Sequence, residues 1–507
     1  MAGQALKESD VDGVRTVWTP SSGTFTAVLS FRAGRADETL ATSGISHLSE
    51  HLALYGLGRD GHPVRFNGRV DDVTTSFVFQ GAPEDVVGAL AKVCHDLHDP
   101  PIERLDVERQ ILLSEEDQRS TRGALPSMLR RRYGSATFGL AAYAELGLRR
   151  LQADDLASWT SAKYTSGNAV LAIAGTLPPG LRLPLPDGHA AGPPTPSSAL
   201  ERTPGWYGEG GGTASLLTTV KRSSAVAALR FVLDKALTSR LRYELGASYS
   251  PMVGYEPRDG NYAHLWAVAE AVEGKGREVT RGVLELINDA ARQLPAVTAI
   301  EQWRASVFEQ QNQPGFAENW AFGYARDLLL GAPKRTYEQL LEEASATGPE
   351  QVRDAAVEAA WNALYRLPKE TTHLPGLTLT PVWSRAEIRG TSFAPVGQAR
   401  SASSLVAGPS GTMIIVRGVQ RITVLTEDVS ALLSWPSGRR MLIGRDGFSL
   451  DIDPAQWDNG TAATALIDAH VPAAKVVPMP ESPEEAGLDQ TPRKESTSWL
   501  WPLRKHT

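Results

Sequence analysis

In "GISHLSEHLALYGLGRDG", which starts at Gly44, two histidines stand four residues apart, His47 and His51, with Glu50 between them. Each residue of an α-helix turns about 100°, so with His47 at 0° Glu50 falls at about −60° and His51 at about +40°. The three side chains share one face, an arc of roughly 100°. Two imidazoles one turn apart can chelate Zn²⁺, which then needs a third protein ligand and a water to complete a tetrahedron. Glu50 stands beside that ion without being needed as a ligand. A general base for a water acidified by the metal belongs there. Histidine is scarce, with ten in the chain, which favours a metal face over a solvated face that pairs two histidines by accident.

A third ligand has a candidate source in "DVERQILLSEED". Glu108 and Glu115 lie seven residues apart, two helical turns, and so project at nearly the same azimuth. One can ligate the metal while the other supports a histidine from behind. Spacing alone does not say which does which. A second cluster, "CHDLH", sets Cys94 and His98 one turn apart with His95 adjacent. It lacks a base and a further ligand, and reads as a helix packed on the core.

These residues need elements to hold them. Strand-like "GTFTAVLSFRAGR" precedes the histidine helix, which runs from about Gly44 to Tyr55 and is closed by Gly56 and Gly58. "TTSFVFQG" reads as a strand, "PEDVVGALAKVCHDLHD" and "IERLDVERQILLSEEDQRS" as helices, and "GNAVLAIAG" as a buried strand. The alternation gives an α+β or α/β domain over 1–178. A Pro/Gly-rich interdomain linker follows over 179–206. Over 207–372 the order of elements repeats with a period of about 190 residues, a domain duplication whose second copy lacks the metal motif. Short strands split by turns over 380–474 predict a small all-β module. Residues 475–507 are rich in Pro, Glu and Ser and read as a disordered tail; its end, "WLWPLRKHT", sets apolar aromatics beside basic residues, which suggests a docking peptide or a weak membrane contact but also arises by chance in tail ends.

The whole chain sets bounds. At 507 residues it exceeds one hydrophobic core and suits about three domains. With 42% apolar and 21% charged residues it is an ordinary soluble composition, and its net charge of −7 argues against a general nucleic-acid binder. No uncharged run reaches the length of a transmembrane segment, and the first residues lack a signal-peptide core. The single cysteine suits a reducing compartment, so a cytoplasmic location is expected.

HxxEH followed by ExxxxxxE resembles the pitrilysin/insulinase family of inverzincin metallopeptidases. "LSFRAGRADE…GISHLSEHLALYG" is similar to that family's strand, turn and metal helix, and "VERQILLSEE" to its second metal helix. The similarity continues through "YGSATFGLAAYAELGLRRLQADDLASWTSAKYTSGNAVLAIAG" and covers roughly residues 10 to 370. The resemblance implies paired α+β domains, zinc held by His47, His51 and Glu115, Glu50 as catalytic base, and Glu108 supporting a ligand. In the second domain "SRLRYELGASYSP" resembles the family's substrate motif, which implies that Arg242 and Tyr249 bind peptide and steady the oxyanion. Where the family's substrate strand carries Asn-Ala, Asp72 and Val73, followed by Thr74, are read as the edge strand. The small module resembles a pleckstrin-homology-like roll through "VLTEDVSALLSWPSGRRMLIGRDG". The implied activity is zinc-dependent endoproteolysis of peptides or unfolded segments by a homodimer, or by a heterodimer with a related subunit. Two alternatives stand beside it: a non-catalytic peptide-binding subunit and a dedicated leader-peptide maturation protease.

Overall fold

The computed structural model describes residues 6–480 apart from 60, 62, 119–122, 210, 398–402, 417 and 419. The first half of the chain runs β1 (Lys7–Val11), β2 (Val14–Thr19), β3 (Thr26–Phe31), α1 (Ile45–Arg59), β4 (Arg65–Val70), β5 (Thr75–Gln80), α2 (Pro83–His98), α3 (Leu105–Gln118), α4 (Ala124–Tyr133), α5 (Ala153–Lys163) and β6 (Ala169–Ala174). Its strands form one sheet in the order β1-β2-β6-β3-β5-β4. Central β6, "AVLAIA", is buried at every position, the continuous apolar run required of a strand covered on both faces. At the rim, β4 alternates exposed and half-buried residues, as an edge strand does.

The second half runs β7 (Gly205–Gly208), β8 (Thr213–Lys221), α6 (Ser224–Thr238), β9 (Met252–Pro257), β10 (Tyr262–Glu270), α7 (Gly276–Arg292), α8 (Val297–Glu309), α9 (Phe316–Leu329), α10 (Tyr337–Ala346), α11 (Pro349–Trp361), β11 (Leu364–Leu367) and β12 (Thr378–Leu379). Its sheet order is β12-β7-β11-β8-β10-β9. Substituting β7, β11, β8, β10 and β9 for β2, β6, β3, β5 and β4 reproduces the first sheet, including the parallel pairs β2–β6 and β7–β11. The outermost strands differ, since β1 joins antiparallel and β12 parallel. The duplication is therefore one of topology.

Each half lends a helix to the other. Ala325 and Leu328 of α9 bury against Val17, Val170 and Ala172 of the first sheet. Met128, Leu129 and Tyr133 of α4 pack with Tyr207, Leu217 and Leu364 of the second. The Pro-rich segment over 176–204 carries no helix or strand, yet it is strapped to the first half. Leu181 and Leu183 bury in that half's core, and Ala191 donates its N–H to Asn168 Oδ1 at 2.7 Å.

The remaining elements are β13 (Thr391–Phe393), β14 (Ser404–Gly408), β15 (Gly411–Val416), β16 (Gln420–Leu425), β17 (Val429–Ser434), β18 (Arg440–Gly444), β19 (Ser449–Ile452), α12 (Gly460–His470) and β20 (Val476–Pro478). They make two four-stranded sheets, β13-β14-β15-β16 and β19-β18-β17-β20. Ile467 of α12 joins Phe393, Leu405, Leu432, Leu442 and Ile452 in the module's core, so a helix completes what the sequence shows as strands alone. Strand β20 also places residues 476–478 in a sheet where a disordered tail is expected; the tail from residue 481 on, including "WLWPLRKHT", lies outside the described residues.

The module seats on the first half. Leu433, Ile443 and Val477 bury against Leu40, Ala41 and Leu140. At the contact Gly134 has φ +71°, and a Cβ there would stand 1.9 Å from the carbonyl oxygen of Arg445, so only glycine fits.

Candidate functional site

Helix α1 is wedged between the first sheet and α3. Ala53 and Leu57 face Phe77 and Phe79 of the sheet, while Ile45, Leu48 and Leu52 pack with Leu105 and Leu112 of α3. A helix buried on several sides is apolar around most of its circumference, and polar residues in it need partners. His47 and Glu50 are buried, at 9% and 6% exposure.

The partners are carboxylates. His47 donates Nδ1–H to Glu145 Oε2 at 2.9 Å, and His51 donates Nδ1–H to Glu108 Oε2 at 3.3 Å. Both bonds engage Nδ1, so the Nε2 atoms are the nitrogens on the side of Glu50 and, for His51, Glu115. The two rings stand edge-to-face with centroids 4.9 Å apart. Glu115 Oε1 lies 4.0 Å from His51 Nε2, and one donor atom each from His47, His51 and Glu115 fall within 4.8 Å of one another. Among the described residues this is the one trio of His, Cys or carboxylate side chains so gathered. Glu50 Oε2 lies 3.9 Å from His47 Nε2 and 4.0 Å from His51 Nε2, beside the trio and outside it. Two imidazole nitrogens and a carboxylate oxygen, with both imidazoles fixed from behind, form a donor set that fits a tetrahedral divalent ion with one open position.

Glu108 also accepts from Arg104 Nη2 at 3.0 Å, and the Arg104 guanidinium lies 4.4 Å from the centre of the Tyr55 ring. Of the two glutamates the sequence leaves interchangeable, Glu108 stands behind His51 and Glu115 reaches the donor cluster. Glu145 is absent from the sequence reading. It sits just before an irregular turn, Leu146–Arg149, with no periodic pattern to mark it. Its carboxylate also adds to the field on Glu38, a buried residue whose acid is pushed up to about 7, mainly by burial. Glu38 accepts the N–H groups of Gly44 and Ser46 at 2.9 and 3.0 Å and so caps the start of α1.

The open sheet edge runs past this site. Gly68 of β4 lies so close to Glu50 that an added Cβ would stand 1.6 Å from its Oε1. Asp71 donates its N–H to Thr74 O at 2.9 Å, which makes 71 and 74 a hydrogen-bonded pair. In the β4–β5 register, Asn67↔Val78 and Arg69↔Ser76, such pairs alternate. Arg65, Asn67 and Arg69 therefore bond to β5, while Phe66, Gly68 and Val70 turn their backbone N–H and C=O groups to the open side.

This corrects the assignment of Asp72, Val73 and Thr74 to the edge. They form the turn after β4, and their backbone is engaged: Asp72 O accepts from Ala36 N, Val73 O from Arg32 Nη1, and Thr74 O from Asp71 N. Val73 and Thr74 are buried, and Asp72 pairs with Arg35 at 3.2 Å. The β4 residue set against Glu50 is Gly68. Arg242 and Tyr249 do come together, the guanidinium 5.3 Å from the ring centre, on the widened π-type turn Ser239–Glu244 and the loop after it. Tyr249 is 77% exposed. Cys94 is buried, which pushes its thiol up to about 12, while His95 and His98 are exposed, so "CHDLH" builds no site.

No family model matches the chain, and no curated protein matches it in sequence. Solved structures do match. A peptidase M16 inactive domain from Pseudomonas fluorescens has a TM-score of 0.60 at 14% identity, over 74% of this chain and 100% of that one. A protease from Helicobacter pylori has a TM-score of 0.58 at 12% identity, over 75% and 100%. This chain has the fold of the M16 peptidase domains. A mutant of the ferredoxin protease FusC in complex with Arabidopsis ferredoxin is similar at a TM-score of 0.53 and 16% identity, over 83% of this chain and 56% of that one. No helix among the described residues is long and apolar enough to cross a membrane.

Proposed function

We propose that this chain is a zinc-dependent endopeptidase of the pitrilysin/insulinase type, acting on peptides or unfolded segments. The observation that carries the reading is the gathering of His47, His51 and Glu115 beside Glu50, beneath an open sheet edge. Zinc, when bound, supplies the Lewis acidity that makes a water acidic near neutral pH and polarises the scissile carbonyl. His47, His51 and Glu115 would hold it, and Glu145 and Glu108 keep the two rings oriented. An extended substrate adds to β4 through the outward backbone groups of Phe66, Gly68 and Val70, which brings its main chain past Glu50. Glu50 takes the proton of the attacking water and returns it to the leaving amine.

Arg242 and Tyr249 stand exposed in the second half, suited to contact peptide held by the metal half of a second copy. The proposed enzyme is therefore a homodimer, and light scattering of an active monomer would contradict this. A cytoplasmic chain accords with one buried, unreactive cysteine.

The test is chelation. Cleavage of a quenched peptide should stop when the metal is stripped and return with stoichiometric zinc. The solved neighbour that is an inactive domain favours a second reading, a peptide-binding subunit without catalysis. Peptide binding that persists without cleavage in the zinc-loaded chain would select it.

A further inference from the structure

We propose that the open edge strand selects peptides carrying two carboxylates four residues apart, on the face of the bound strand that points away from α1. The inference rests on the peptidase reading for the role of β4 as the substrate-receiving edge, and adds the class of substrate.

Side chains alternate along β4. Gly68 faces Glu50 and α1, so Arg65, Asn67 and Arg69 emerge on the opposite face, and all three are exposed. Among the described residues neither Arg65 nor Arg69 has an ion pair or a side-chain hydrogen bond. Nearby arginines are engaged: Arg35 pairs with Asp72, and Arg326 of α9 with Glu256 at 2.8 Å and Asp71 at 3.6 Å. In a chain of net charge −7, two unpaired guanidinium groups stand on the strand that passes the candidate base.

An added strand places one residue opposite each residue of β4. The residue opposite Gly68 points toward α1, and those opposite Arg65 and Arg69 point to the arginine face, four residues apart. That spacing holds whether the strand adds parallel or antiparallel. Opposite charges directly across a pair of strands stabilise it, and like charges destabilise it. Two such pairs are worth roughly 2- to 30-fold in binding. Both arginines are exposed, so the preference fades at high salt.

The experiment uses the full chain with Glu50→Gln, loaded with zinc, and reads anisotropy of labelled peptides that carry Glu/Glu, Gln/Gln or Lys/Lys four residues apart, the pair being moved along the peptide one residue at a time. In at least one register Glu/Glu should bind roughly 2- to 30-fold tighter than Gln/Gln, and Lys/Lys weakest. Adding Arg65→Glu and Arg69→Glu should reverse that order, a rescue that a merely structural role would not produce. Where the double reversal lowers folded yield, single Arg69→Gln should reduce the preference. Equal binding of Glu/Glu and Gln/Gln at every register, or an acidic preference that survives charge reversal, overturns the proposal. Acidic preference in a chain whose wild type cleaves nothing upholds the specificity and removes the peptidase reading; cleavage without the preference does the opposite.

Discussion

Removing the carboxylate of Glu145 should weaken metal binding by one to two decades. The Nδ1–H of His47 bonds to that carboxylate at 2.9 Å, both groups lie nearly buried, and the bond keeps Nε2 as the ligating nitrogen. A hydrogen bond to a charged group is worth about 1.5–3 kcal/mol, which is roughly 10- to 150-fold in affinity. Loss of a carboxylate behind a ligating histidine costs a similar 10- to 100-fold range. Glu145→Ala should therefore raise the zinc dissociation constant by about that factor, and Glu145→Gln, which keeps a neutral acceptor, by less. Glu108 offers an internal comparison. Its bond to His51 is longer, 3.3 Å, and Arg104 shares the carboxylate, so Glu108→Gln should cost less than Glu145→Ala. Competition against a chromophoric chelator measures all three on the full chain, with apo-protein melting as a check on folding. Wild-type zinc affinity in a well-folded Glu145→Ala would refute the geometry argued for His47.

Two further outcomes follow from the same region. Glu38 is an acid whose folded value, about 7, lies above the unfolded 4.5, so the folded state holds its proton longer. Its contribution is intact below pH 4.5 and is lost as pH rises to 7, a difference of about 3 kcal/mol; denaturant titrations of the chelated protein should show that loss in wild type and not in Glu38→Gln. Leu48 is fully buried between α1 and α3, so Leu48→Ala should cost about 2–5 kcal/mol by the same titration and loosen the histidine helix with it.

The histidine pair and its intervening glutamate were legible because helical periodicity alone sets their relative angles. The i, i+7 spacing of Glu108 and Glu115 pointed to a helix that packs beside the histidines, though which of the two carboxylates joins the histidine nitrogens depends on how α3 packs on α1. Glu145 was not legible: it reaches His47 from 98 residues away, on an irregular segment braced by the module's Leu433 and Ile443 against Leu40 and Leu140. The edge strand misled for a different reason. A strand's register comes from its partner, and only the pairing of β4 with β5 sets Gly68 against Glu50 and leaves Asp72 and Val73 in the following bend. Helix α12 escaped because "GTAATALIDAH" is short and rich in small residues, and its apolar face is defined by the sheets it covers.

The central claim is that Glu50 works as a base beside a metal that it does not hold. The most direct measurement is zinc content and peptide cleavage in wild type and Glu50→Gln, side by side. Stoichiometric zinc is expected in both, with cleavage falling by about 10²- to 10⁴-fold in the variant. Cleavage retained by Glu50→Gln, with zinc still bound, would contradict it.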